Sequence, residues 1–232
     1  MSDNGKIDAE LLETPLYSYS EAEYLAGVTR GTARRWLAGY QYKSPTAGYV
    51  SRPPVTVKSE RDESGISFID LVEIVAIGGL KAFGFTLREI RSIVANTQEV
   101  LQVRRPLTTV AFKVGGRDAF VAEDGQLLSV LRGKRQRAWD EVLQPFLATL
   151  DYSDYFARRW WPLGKNKLIY LDPEYAFGLP VIAGSGVRTE IVFERWDADA
   201  SREEIAEDFN LSVEDVDNAL RFEVNRAMKR AA

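Results

Sequence analysis

The chain has 232 residues, 45% hydrophobic and 28% charged, with a net charge of −4 and neither Cys nor His. That length suits one large domain or two smaller ones. The missing residue types exclude disulfide scaffolds, thiolate or imidazole zinc sites, cysteine nucleophiles and Ser-His-Asp triads. The N-terminal MSDNGKIDAELL lacks the basic and apolar regions of a signal peptide, and no stretch approaches the ~20 apolar residues of a membrane span. A cytoplasmic protein with no membrane partner is expected, and the lack of Cys fits a reducing compartment.

Charge is unevenly distributed. From Val28 to Arg61 there are seven bases (Arg30, Arg34, Arg35, Lys43, Arg52, Lys58, Arg61) against Glu60 alone, a net of +6. From Glu190 to Asp217, eleven acids face only Arg195 and Arg202, a net of −9. A basic head and an acidic tail point to different partners.

In chain order, Ser20 and Glu23 have capping-box spacing for a first helix that Gly27 stops. Thr29 is placed to cap a second helix through Ala38, ended by Gly39. Ala33, Trp36 and Leu37 form its apolar face, and Arg30, Thr32, Arg34 and Arg35 lie on the other side. Two short helices joined by a tight turn make a helix-turn-helix whose basic second helix suits the major groove. The segment YQYKSPTAGYVSRPP, with Lys43 and Arg52, reads as a β-wing. Ser67 begins a further helix with Leu71, Ile74, Val75, Ile77 and Leu80 as apolar positions, and Thr86 with Glu89 caps the next.

This run of features resembles MerR-type winged-helix regulators over roughly residues 17–103. The resemblance implies DNA binding as a dimer. The cysteine metal sensors of some members of that group have no counterpart here.

In the middle, the β-prone runs 107–114 and 118–122 around Gly115-Gly116 read as a hairpin, and a helix over 139–150 should break or kink at Pro145. Arg158-Arg159-Trp160-Trp161, flanked by Pro162 and Gly164, has the residue types of an interface hot spot. A buried seam is the competing reading.

In the tail, Leu168–Leu171 reads as a short strand. Thr189, Ser201 with Glu204, and Ser212 with Asp215 mark the starts of three helices. Asp172-Pro173, Gly178, Pro180-Val181-Ile182, Gly184 and Ile205–Phe209 resemble a small family of unknown function regarded as antitoxins. Gly186 stands where that family often has Arg, and Arg188 is two residues on.

The fold expected is mainly α. It comprises a winged helix-turn-helix over 14–104, a small β-hairpin-containing middle over 105–167, and a three-helix bundle with a short strand over 168–232. Head and tail together resemble the larger VapB-type antitoxins. That resemblance implies repression of the chain's own operon, operator DNA as one partner and a VapC-type PIN-domain ribonuclease as the other. On this reading Arg30, Thr32, Arg34, Arg35, Lys43 and Arg52 bind DNA, and Arg158, Arg159, Trp160 and Trp161 form an arm that pairs with the toxin's carboxylates. A ligand-responsive regulator without a toxin and a structural adaptor are the alternatives.

Enzyme motifs are missing. Gly184-Ser185-Gly186 is not a nucleophile elbow, and Gly133-Lys134 is followed by Arg135 rather than Ser or Thr. The tail's carboxylate pairs sit at helix starts, where the helix dipole favours acids. No catalysis, cofactor or metal is expected.

Overall fold

A computed structural model describes residues 9–58, 65–121, 129–153 and 155–231. Glu60, Arg61, Ala122, Asp154 and the N-terminal eight residues lie outside them.

The chain opens with α1 (Ala9–Glu13) and β1 (Pro15–Tyr17), then α2 (Tyr19–Ala26) and α3 (Thr32–Ala38). The wing follows as β2 (Tyr40–Ser44) and β3 (Gly48–Arg52), antiparallel in the register Tyr40↔Arg52 to Ser44↔Gly48. A short β4 (Ile66–Ser67) pairs with β1 and leads into α4 (Phe68–Ala82) and α5 (Leu87–Leu101). Thr86/Glu89 forms the capping box expected of it, and Ser67, expected to begin α4, forms a further box with Asp70. Leu71, Ile74, Ile77 and Leu80 of α4 are fully buried, as their 3.6-residue spacing requires.

The middle differs from expectation. Residues 107–121 do not form a hairpin: a 3-10 turn (Pro106–Thr108) leads into α6 (Val110–Val121). Thr109 Oγ1 accepts from Phe112 N at this helix's start. Phe112 and Phe120 stand two turns apart and close on Trp139 at 5.2 and 5.8 Å. Gly116 lies directly under the Phe112 ring, where a Cβ would come within 2.4 Å. Burial of three aromatics therefore outweighs the β propensity of the segment and the turn propensity of Gly-Gly.

Helix α7 (Ser129–Ala138) runs into a π-helical stretch (Trp139–Leu143), then α8 (Gln144–Ala148). Gln144 N donates to Trp139 O, five residues back. This wider turn immediately precedes Pro145, which has no N–H to donate and would crowd the carbonyl four residues back. The helix thus passes the proline without breaking. The hairpin of the middle lies farther on, as β5 (Leu150–Tyr152) and β6 (Ala157–Trp160).

The tail has β7 (Ile169–Tyr170) antiparallel to β8 (Val181–Ile182), then α9 (Thr189–Asp197), α10 (Arg202–Phe209) and α11 (Val213–Ala231). The boxes Ser201/Glu204 and Ser212/Asp215 are formed. Val192, Ile205, Val216 and Leu220 build a small core of their own. By contrast, head and middle share one hydrophobic cluster from Leu12 to Leu171, joined by Phe222 of α11. Trp160 and Leu171 exchange both backbone hydrogen bonds, which sews the middle to the tail.

One buried polar cluster ties head and middle. Asp70 accepts from Ser67 N and Oγ and pairs with Arg105 at 2.7 Å, the two side chains being 0% and 3% exposed. One turn on, the fully buried Glu73 accepts from Thr56 Oγ1 at 2.6 Å. Burial raises the Glu73 carboxyl to about 7, against the opposing pull of Arg105 and the Thr56 hydrogen bond.

Because this carboxyl binds its proton more tightly folded than unfolded, its contribution is greatest below about pH 4.5 and is lost as pH rises towards 7. Glu73→Gln is expected to flatten the pH dependence of stability between these values and to raise Tm by at least ~2 °C at pH 8. Thermal melts of both forms across that range check this; parallel curves for the two forms would refute the assignment.

Candidate nucleic-acid interface

The first helix of the pair, α2, is capped two residues earlier than its sequence suggests. Ser18 is the N-cap and Glu21 closes the box. That leaves Glu23 for a different task. Its carboxylate, 4% exposed, accepts from Gly31 N at 2.9 Å and Ala33 N at 2.8 Å. An acid of the first helix therefore satisfies orphan amides at the start of the second, where the helix dipole favours negative charge. Thr29 is not that cap; its hydroxyl pairs with the Thr32 hydroxyl at 2.9 Å, and α3 begins at Thr32 after Gly31 in the left-handed region. Ala33, Trp36 and Leu37 are buried as expected and seat α3 on the core.

On the outer side, Arg30, Arg34 and Arg35 are exposed. Thr32 is not: it is 6% exposed, so it supports the surface from beneath. Arg35 folds back, donating from Nε to Gly31 O at 3.0 Å and from Nη2 to Thr32 Oγ1 at 3.3 Å. Arg34 lies over the Tyr19 ring at 4.9 Å. Both guanidinium groups are thereby oriented without being neutralised.

The wing is an exposed hairpin. Its register places Tyr42 and Arg52 on one face and Lys43 with its cross-strand partner Tyr49 on the other, so Lys43 and Arg52 do not act together. Arg52 donates to Tyr42 Oη at 3.3 Å. Among the described residues, none of Arg30, Arg34, Arg35, Lys43 and Arg52 is paired with a carboxylate.

The wing is held at a set angle to α3 by its base. Gly39, at φ +74°, brings the chain so close that a Cβ would lie 2.5 Å from Arg52 O. Val55 N donates to Trp36 O at 2.6 Å, Arg91 donates to the carbonyls of Pro53 and Pro54, and Arg105 donates to Val57 O. These long-range anchors have no local sequence signal.

The dibasic, Trp-rich segment is not an accessible arm. Trp160 is 6% exposed in the shared core. Arg159 pairs at 2.8 Å with the fully buried Asp172 and lies 4.3 Å over Tyr170. Arg158 pairs with Glu174 at 3.1 Å, and Trp161 Nε1 donates to Asp151 at 2.7 Å. None of the four could enter a partner's site without giving up these contacts; they join middle to tail. Among the described residues no cluster of acids is arranged to hold a metal ion, and no helix is long and apolar enough to cross a membrane.

A basic recognition helix beside a basic wing defines a helix-turn-helix DNA-binding domain. Residues 15–94 match the family described as a putative DNA-binding HTH domain, and residues 169–222 match the family described as a protein of unknown function (DUF433). Similarity extends over most of the chain to two proteins of Mycobacterium tuberculosis. One is named "Putative antitoxin VapB45", 23% identical over 90% of this chain and 93% of that protein. The other is the uncharacterized protein Rv2308, 21% identical over 91% of each. The crystal structure of Rv2018 from the same organism shares the fold, with a TM-score of 0.68 at 20% identity over 90% of this chain and 99% of that one.

Replacing Glu23 with Ala is expected to leave the Gly31 and Ala33 amides unsatisfied, to cost about 1–2 kcal/mol and to weaken DNA binding. Glu23→Gln, which retains an acceptor for one amide, should fall between. Urea unfolding and a fluorescence DNA-binding titration on all three forms test the order. Equal stability of Glu23→Ala and the unaltered chain would refute the cap.

Proposed function

We propose that this chain is a DNA-binding antitoxin. It acts as a homodimer that represses its own operon, and it neutralises a cognate VapC-type PIN-domain ribonuclease by direct binding. The observation that carries the DNA half is the set of bases on α3 and the wing left without carboxylate partners. The antitoxin half is supported by similarity, over head and tail alike, to a protein named as an antitoxin.

In this reading α3 enters the major groove. Arg35, braced by Gly31 O and Thr32 Oγ1, has its remaining donors for a guanine edge or a phosphate. Arg30 and Arg34 flank it, and the wing follows the backbone with Lys43 or Arg52, according to which face meets the duplex. The net −9 of residues 190–217 keeps the tail off DNA and leaves it for a protein.

Replacing Arg34 and Arg35 with Ala is expected to weaken operator binding and to reduce the slope of log K against log salt by about 1–2, about one for each of the two that neutralises a phosphate. An unchanged slope sinks the assignment. The toxin half is tested by co-expressing the chain with the protein encoded beside it and taking native masses. A stoichiometric complex with a protein that is toxic alone supports the reading. A free dimer and a harmless neighbour would favour a regulator without a toxin.

A further inference from the structure

Between the head and the tail lies a cleft of about 600 Å³, within the roughly 300–1,000 Å³ of ligand-sized pockets. One wall is α2 and the other is formed by α9, α11 and the loop before β8. The seam below it is closed by polar contacts: Thr189 Oγ1 donates to Glu223, and the Arg226 guanidinium pairs with Glu223 at 2.8 Å and lies 3.9 Å over the Tyr24 ring. Leu25, Leu179 and Phe193 supply apolar surface.

The charge of this cleft is one-sided. Four carboxylates line it (Glu21, Glu190, Glu194 and Glu223) against two arginines, Arg188 and Arg226. Arg226 is taken up by Glu223 and Tyr24, and Arg188 has Glu190 at 3.8 Å. Glu21 is engaged by Ser18 N in its own cap. Glu194 has no ion-pair partner among the described residues, and Glu190, 61% exposed, has the long contact with Arg188 and a weaker pull on Arg226. The two stand four residues apart on α9, hence on one face of it. An acidic rim beside an apolar lining rejects nucleic acid and favours a guanidinium or ammonium carried on an apolar stem.

We propose that this cleft is the docking groove for an arginine- or lysine-bearing segment of the chain's protein partner, with Glu190 and Glu194 taking the cationic group. This deepens the antitoxin reading and rests on it. It places the partner contact at the head–tail cleft rather than at Arg158–Trp161.

The test uses the full chain co-expressed with the protein encoded beside it. Glu190→Lys/Glu194→Lys is expected to weaken that complex at least tenfold while operator binding and Tm are retained. The control Glu203→Lys/Glu207→Lys, on exposed positions of α10 outside the cleft, should leave the complex intact. A photo-crosslinking residue at 194 is expected to label a Lys- or Arg-containing peptide of the partner. Undiminished binding by the cleft variant, equal loss in the control, or crosslinks only to a second copy of this chain would overturn the proposal while leaving the antitoxin reading standing. If the unaltered chain forms no complex, the antitoxin reading fails and the groove assignment with it.

Discussion

The Asp70–Arg105 pair is the point through which the head is assembled. The Asp70 carboxylate closes the N-terminus of α4 by accepting from Ser67, and the same group neutralises Arg105 from the start of the middle segment. Arg105 in turn holds Val57 O at the base of the wing. Three segments far apart in sequence thus meet at one ion pair sealed from water. Such a pair adds little net stability over an apolar packing of the same volume, yet losing one member strands the other charge at a cost of about 3–5 kcal/mol. Its value is therefore geometric: it allows few alternative placements of wing against helix. Glu73, one turn along α4 and bonded to Thr56, repeats the device with a group that burial pushes towards neutrality.

Glu23 plays the corresponding part for the recognition helix. Helix α3 spans seven residues, too few to be stable alone, and has no side-chain cap of its own. The carboxylate from α2 binds two of its orphan amides, and Trp36 and Leu37 bury its inner face. With those constraints met from below, the outer face is free to carry uncompensated bases. In the tail, by contrast, the pairs Arg195–Asp208 and Arg202–Asp217 offset part of the acidic charge locally. A chain of net charge −4 thereby keeps a positive surface on α3 and the wing, since screening confines exposed charges to about 10 Å.

What was legible in the sequence is what local chemistry determines. Ser67, Thr86/Glu89, Ser201/Glu204 and Ser212/Asp215 mark four helix starts, and the apolar periods of α3 and α4 identify their buried faces. Apart from Thr29, whose hydroxyl pairs locally with Thr32, the failures involve distant partners. Ser18/Glu21 and Ser20/Glu23 are overlapping boxes with the same spacing, and only the approach of Gly31 and Ala33 decides which glutamate is needed elsewhere. Residues 107–122 look β-prone until Trp139 supplies the surface that Phe112 and Phe120 cover at helical spacing. Arg158–Trp161 has the composition of an exposed hot spot, because the residue that pairs with Arg159, Asp172, lies beyond a turn and in another strand pairing.

That same Arg/Trp segment explains how head and tail become one body. Trp160 pairs its backbone with Leu171, and Arg159 fills the space between Asp172 and Tyr170. Elsewhere along the junction, the buried Tyr17 hydroxyl donates to Gly178 O, a position where any Cβ would collide with that hydroxyl at 2.3 Å. Phe222 and Arg226 of α11 then reach α2 through the shared core and the Tyr24 ring. The tail is joined to the head through strand pairing, buried hydrogen bonds and a sheltered cation, none of which a flexible linker would supply. Whatever binds the acidic tail is consequently held in a set orientation to the basic helix and wing. A second function for the two arginines at 158 and 159 is unnecessary to account for them, since they maintain that orientation.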